Sequence, residues 1–369
     1  MERSGKQSSS WTVLRVAGFL IVATACMAAQ NLPLYTTWIN YTHANGFPAG
    51  EVYCVTVDGD RVWAGTKDGL VLLENGRVKK IFTTRDGLAG HAVMSVAVDK
   101  QTGDVWIGTF GGLSRYSGGK FKNYTNLTSG LANDLVYGVA VQGQYVWVAT
   151  TAGVNRLDTY TGSWSIFNES NAPFEEPWTY GISVAKDKVY FAVWGSGVLA
   201  YDLEHHSWKP FSDPDGEMEL VLYRNQGLIH NVVSAVSYNQ DTKTFWASTY
   251  FGLSGYDGRN WHNYLTKDSG LGSNFVNSVK SRGDEVWACT QKGLSELNTK
   301  TDTWISYSSD PKTGRGNIVI THPDGKKERI GSATTLAHNY ILGMDFQGAD
   351  LWVATAQGLS HGMLQPHLQ

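Results

Sequence analysis

The sequence predicts an all-β chain folded as a seven-bladed β-propeller and closed by an N-terminal strand that completes the last blade. Three observations carry that prediction. First, an aromatic residue, one spacer, a small residue and a short turn ending in Gly and Leu or Val recur seven times, marked by Trp63, Trp106, Trp147, Tyr190, Trp246, Trp287 and Trp352. The intervals are 43, 41, 43, 56, 41 and 65 residues, so the unit suits four short antiparallel strands, with insertions in two connections. Second, the 369 residues include 41 glycines, 14 tryptophans and 18 tyrosines, and only 17% are charged. That mix fits short strands and tight turns better than amphipathic helices. Third, the last unit stops at Leu359 without an outer strand, while Trp38 and Tyr41 near the N-terminus repeat the outer-strand signature of the other units.

The N-terminal residues have a separate character. Arg3, Lys6 and Arg15 precede an apolar stretch from Val16 to Ala29, too short for a comfortable membrane span and ordered like a secretory signal. Residues 1–29 read as a signal peptide or as a lipoprotein signal. In the second case Cys26, after Ala23-Thr24-Ala25, carries the lipid; in the first, cleavage after Ala28 or Ala29 discards it. Losing residues 1–25 removes three bases and one acid, so the formal charge moves from -3 to -5. No basic run follows, which leaves nucleic acid without its electrostatic footprint. The lipid would be the sole membrane attachment.

The propeller is expected over residues 35–361, with 362–369 as a short tail. In the first unit Val52–Val57 reads as the inner strand, Arg61–Thr66 as the second and Gly69–Leu73 as the third. Outer strands carry aromatic pairs: Phe121 and Tyr124, Trp164 and Phe167, Trp208 and Phe211, Trp261 and Tyr264, Trp304 and Tyr307. The first unit departs, with Val78 and Phe82 one residue further apart. Thr36 to His43 is expected to pair into the last blade and close the ring, removing a sheet edge and leaving a monomer. Between the last two units, Ile318-Val319-Ile320 and the Pro323-Asp324-Gly325 turn predict a projecting hairpin over 317–330, either a partner contact or, in preference, a surface excursion of the kind loops tolerate.

A column of small residues confirms the alignment: Cys54, Ser95, Gly138, Gly181, Ala235, Ser278 and Gly343 share one inner-strand position. Seven strands converging on an axis leave little room there. Cys289 falls in a second small column with Gly65, Gly108, Ala149, Ala192, Ser248 and Ala354. Cys54 and Cys289 therefore read as small buried residues on non-adjacent blades, not as a disulfide.

These residues resemble the two-component regulator propeller repeat over residues 35–361, most closely at Gly87-Leu88, Val105-Trp106-Ile107-Gly108-Thr109 and Gly112-Leu113. In the best-known members of that family such propellers form the periplasmic sensor part of hybrid histidine kinases. The resemblance implies an exported sensory or accessory module, here without kinase or second membrane segment. The matched residues are structural, so it transfers little chemistry.

The candidate chemistry lies in the loops entering the inner strands and in the turns between second and third strands, which share one face. His91, His230 and His338 occupy the entering loops, read as loop hydrogen-bonding groups before metal ligands, because His91 is one register off and the blades are not all adjacent. Asn133, Asp134, Asn231, Asn274 and Asn339 read as turn caps. Asp213-Pro214-Asp215-Gly216-Glu217 lacks the ligand spacing of a calcium loop. No metal and no cofactor is expected. Two tryptophans have no repeat role: Trp178, just before an inner strand, and Trp194, in the turn of the same blade. With Phe110, Tyr250 and Phe251 in corresponding turns, and with His230 and His338, they make up the expected ligand-binding face for a small molecule, glycan or protein. The expected activity is binding. The alternative is a propeller lyase or glycan-active enzyme, for which Glu51, Glu175 and Glu176 are the candidate acids.

Overall fold

The computed structural model describes residues 32–48, 50–216 and 224–365. Seven antiparallel sheets form seven blades: six have four strands, and the sixth in chain order has six. Blades 1 to 6 comprise residues 52–82, 93–124, 136–167, 179–211, 233–264 and 276–332. Blade 7 consists of 341–365 with Leu34–Tyr41 as its outer strand. The expected strands of blade 1 appear at Val52–Asp58, Arg61–Thr66 and Gly69–Glu74.

The ring closes as expected, with shifted limits. Leu34–Tyr41 pairs antiparallel with Gly358–Gln365, from Leu34 opposite Gln365 to Tyr41 opposite Leu359. The closing strand thus starts two residues before the expected Thr36, because Leu34 and Tyr35 are buried against blade 6. Thr42 and His43 instead form a capped turn. Residues 362–365, expected in a tail, are strand.

Two side-chain rules build each blade. The small columns are register partners in every one, from Cys54 opposite Gly65 to Gly343 opposite Ala354. Their smallness comes from the neighbouring blade. A Cβ on Gly138 would lie 3.0 Å from the Tyr180 carbonyl, and one on Gly181 would lie 3.1 Å from the Ala235 Cα. The thiols obey the same packing: burial pushes Cys54 up to about 12 and Cys289 higher still.

The second rule concerns the turn after the second strand. In six blades a threonine hydroxyl donates to the carbonyl of the following glycine, as Thr66 to Gly69 at 2.8 Å and Thr109 to Gly112 at 2.8 Å. The glycine is obligatory. At Gly69, φ is +141° and a Cβ would strike the Phe82 carbonyl on the outer strand. Blade 4 breaks the rule, with Val193 in place of the threonine.

The blades are packed by aromatic rings. The second-strand column is buried throughout, from Trp63 to Trp352. At the rim, the first aromatic of each outer pair meets the second aromatic of the preceding blade: Phe121 on Phe82 at 5.6 Å, Trp164 on Tyr124 at 5.8 Å, Trp208 on Phe167 at 5.4 Å, Trp261 on Phe211 at 6.1 Å, Trp304 on Tyr264 at 5.2 Å and Trp38 on Tyr307 at 6.3 Å.

The hairpin between blades 6 and 7 is present, at Gly316–Thr321 and Lys327–Ser332. It does not project. Gly316–Thr321 pairs with Thr303–Ser309 and widens blade 6, and Ile318 and Ile320 are buried in one cluster with Tyr35, Trp38, Trp287 and Tyr307. Beyond it, the Thr334 hydroxyl accepts from the Trp38 amide at 2.9 Å and donates to the Thr36 carbonyl at 3.2 Å. The insertion is a clamp on the closing strand, a role set by a partner far away in sequence.

A candidate binding mouth at the channel

Every inner strand carries a β-bulge one residue after its start, where two residues face one on the second strand. The bulged residues are Tyr53, Met94, Tyr137, Tyr180, Ser234, Asn277 and Leu342, and all seven line the central cavity of about 590 Å³. A bulge re-aims its side chain, here toward the axis. Sequence alternation hides this residue between a core position and the small column.

Two further positions frame the mouth. In six of the seven blades the residue before the inner strand and the first residue of the following turn are joined main chain to main chain, as in Trp194 N–H donating to the Trp178 carbonyl at 2.9 Å, Phe110 to Ala92 at 3.2 Å and Tyr250 to Val232 at 3.3 Å. Trp178 and Trp194 therefore stand together on blade 4. Trp178 is 48% exposed, and Trp194 is half-buried.

The rings of these positions make a continuous arc. Phe110 meets Tyr137 at 5.1 Å, Tyr137 meets Tyr180 at 4.9 Å and Tyr180 meets Trp194 at 5.9 Å. Trp194 meets Tyr250 at 5.4 Å, and Tyr250 stacks on Phe275 at 3.9 Å. The arc thus runs from blade 2 to blade 6. Blades 7 and 1 present Ala356 and Lys67 at the turn position instead. Sequence reasoning found Phe110, Trp194, Tyr250 and Trp178 here but missed Tyr137, Tyr180 and Phe275.

The arc's phenols stay neutral at physiological pH. Burial, then the neighbouring Tyr137 and Tyr250, pushes Tyr180 up to about 12, and burial also raises Tyr137 and Tyr250. On blade 1, burial and Glu51 push Tyr53 up to about 12, with its hydroxyl donating to Glu51 Oε2 at 3.2 Å. The mouth therefore offers ring faces and neutral hydroxyls. The bulged Ser234 and Asn277 are committed, donating to the Val276 carbonyl at 2.6 Å and the Ile341 carbonyl at 2.7 Å.

Blade 4 ties its entering loop down from the turn itself. The Ser196 hydroxyl accepts from the Glu175 and Glu176 amides at 2.9 and 3.1 Å, fixing the loop that carries Trp178. Glu175 and Glu176 thus belong to blade 4's loop and Glu51 to blade 1's, on opposite sides of the ring.

Three of the expected contact residues also brace the loops. His230 is buried, its ring stacks on Phe251 at 4.1 Å, and its Nδ1 accepts from the Val232 amide at 3.0 Å. Phe251 is one residue past the mouth register and turns onto that histidine. His338 Nδ1 accepts from the Tyr340 amide at 3.0 Å, the role Asn133 plays for Leu135 at 2.8 Å. These histidines cap loops because an imidazole nitrogen can stand in for an Asx oxygen. Asp134, Asn231, Asn274 and Asn339 likewise accept from backbone amides at 2.6–2.8 Å. His91 is exposed. Cys26 and the rest of the leader lie outside the described residues.

The fold and the mouth define a β-propeller with a ring-lined axial site. Among solved structures it is similar to the extracellular domain of a hybrid two-component system from B. thetaiotaomicron, at 19% identity and TM-score 0.66, over 89% of this chain and 42% of that one. The chain thus spans less than half of that protein's length. It is also similar to virginiamycin B lyase from Staphylococcus aureus, at 14% identity and TM-score 0.61, over 89% of this chain and 98% of that one. A computationally designed protein, Ika8, follows at 9% identity and TM-score 0.54, over 85% and 96%. No protein-family model and no curated protein matches the sequence. These likenesses establish the propeller fold. Among the described residues, no helix is long and apolar enough to cross a membrane.

Proposed function

We propose that this chain is an exported binding propeller of the two-component regulator kind, which takes its ligand on the channel mouth without transforming it. The observation that carries the reading is the arc from Phe110 to Phe275, with exposed Trp178 beside it. Large rings held in a fixed array lose little entropy on binding and offer flat apolar faces with neutral hydroxyls at their edges. Such a surface suits an uncharged, ring-bearing or aromatic group, whether in a small molecule, a glycan or a protein segment. The fold shared with the extracellular domain of a hybrid two-component system supports a sensory or accessory role in the bacterial envelope, and the signal-like order of residues 1–29 supports export.

The test is a thermal-shift screen of the purified protein against soluble oligosaccharides, aromatic small molecules and short peptides. A ligand that binds only the native state raises the melting temperature. The expected hit loses most of its shift in Trp194→Ala and part of it in Trp178→Ala, both of which remain folded, and is recovered unaltered after incubation. A hit that is cleaved or rearranged would replace binding by the lyase-type reading, and a shift indifferent to both variants would move the site away from this mouth.

A further inference from the structure

The rim of the ring has seven clefts between outer strands, and six are closed by an aromatic of the following blade, as Trp304 closes the cleft against Tyr264. The cleft between blades 7 and 1 is different. Blade 1 has Val78 where the aromatic belongs, and an extra residue, Lys79, shifts its outer strand between the partners of Leu72 and Leu73. Tyr41 therefore meets no ring of blade 1's outer strand; its ring meets Phe47, in the loop entering blade 1, at 6.2 Å, and its hydroxyl donates to the Gly76 carbonyl at 2.7 Å. The glycines record the vacancy. A Cβ on Gly87, Gly130 or Gly270 would run into Phe121, Trp164 or Trp304, whereas one on Gly46, at the same place in this cleft, would meet nothing within 4 Å.

Three large apolar side chains are left uncovered there: Ile39 at 46%, Val78 at 40% and Ile81 at 41% exposed. Val78 and Ile81 lie opposite Leu73 and Val71, so they share a sheet face with two residues of the cluster that joins blade 1 to blade 7. Ile39 lies opposite His361, on the same face of its sheet as Tyr41 of that cluster. The three therefore sit on the two walls of one cleft. Its edge strand, Arg77–Phe82, ends its sheet and carries Arg77, Lys79 and Lys80, while the whole chain is net negative at -3. Of these, Lys79 is paired, with Glu74 at 3.4 Å.

We infer that this cleft docks an extended acidic segment of a partner protein, which adds a strand to the edge at Arg77–Phe82 and inserts one large aromatic side chain between Ile39 and Ile81. The other six clefts show what fills the space. Strand addition satisfies the edge amides and carbonyls, and alternate side chains then enter the cleft or face the lysines. Charge complementarity favours acidic residues at the outward positions. A flat anionic lipid surface would reach the lysines but not the cleft walls.

The probe is a capped peptide alternating glutamate and valine with one central tryptophan, titrated into the full protein and followed through its isoleucine and valine methyl resonances. Saturable shifts at Ile39, Val78 and Ile81 are expected, weakened at least about tenfold in the K79E/K80E double variant. Val78→Trp should supply the missing plug, raise the melting temperature and abolish the shifts. A peptide with alanine for tryptophan, or lysine for glutamate, should bind at least about tenfold more weakly. The inference is overturned if the methyls do not move at about 1 mM peptide, if Val78→Trp binds normally, or if the lysine peptide binds as well. It is also overturned if phosphatidylglycerol vesicles or a second copy of the chain, and not the peptide, protect these methyls.

Discussion

The chain leaves its repeat in two places, around blade 4 and between blades 6 and 7, and the two departures do opposite work. Around blade 4 the altered residues come to the surface: Trp178 is exposed, and Trp194 joins an arc of rings over the channel. Between blades 6 and 7 the inserted residues go inward, with Ile318 and Ile320 buried against the closing strand. Both departures read alike in sequence, as apolar or aromatic residues without a repeat role. What separates them is the presence of a distant surface to cover. Leu34–Tyr41 arrives beside blade 6 and needs a lid, whereas no strand among the described residues pairs over the mouth.

The largest expected effect tests the inward departure. Deleting Leu34–Tyr41 would strip blade 7 of its outer strand and uncover Trp287, Tyr307 and Ile318 together, and insoluble or molten product is expected by solubility and near-UV circular dichroism. A single truncation sharpens it. Ile320→Ala should cost about 2–5 kcal/mol in denaturant unfolding, the range for a buried isoleucine; a loss below about 0.5 kcal/mol would return the hairpin to the status of a tolerated excursion.

The same region holds a half-buried acid. Glu296 lies opposite Trp287 in blade 6, and Tyr307 donates to its Oε2 at 3.4 Å. Burial, then the nearby Glu285, pushes its carboxyl up to about 8. A raised folded-state value means that its contribution to stability is whole below the unfolded value near 4.5 and is lost as pH rises through about 8. Glu296→Gln keeps the shape and cannot ionise. The variant is expected to melt above the parent at pH 9, by about 1–3 kcal/mol, and the difference should vanish by pH 4.5. Equal melting of the two proteins at pH 9 would show that the carboxylate is solvated there.

The fold was legible because its demands repeat. The aromatic columns, the paired small columns and the outer-strand signature of Trp38 and Tyr41 each recur at one spacing, so blade number and ring closure follow from the sequence. The site was half legible. Trp178, Trp194, Phe110 and Tyr250 stand out because no repeat position explains them, but Tyr137 and Tyr180 sit inside strands, where a bulge turns them to the axis without any residue type that announces it. The packing of His230 and Phe251 on each other was hidden for a related reason: a one-residue shift in register decides between facing the mouth and packing under it. The hairpin's depth was not legible at all, since Ile318-Val319-Ile320 has the same alternation whether or not a strand lies over it.

The smallest effects on stability belong to the outward departure, and they are what make it a candidate site. Trp178 is 48% exposed and makes no ring contact among the described residues, so Trp178→Ala should change unfolding free energy by no more than about 0.5 kcal/mol. Trp194 touches Tyr180 and Tyr250, and its loss should cost about 1–2 kcal/mol from two ring contacts. Binding should rank the pair differently. An aromatic at the centre of an interface commonly carries about 2 kcal/mol or more, near thirtyfold in affinity, whereas a rim residue carries less. Trp194 lies mid-arc and Trp178 at its margin, so Trp194→Ala should weaken the screened ligand about thirtyfold and Trp178→Ala about three- to tenfold. Calorimetric titration of each variant, beside its unfolding curve, separates the two scales. If affinity fell only in proportion to lost stability, the rings would be packing for blade 4, and the two departures would be alike after all.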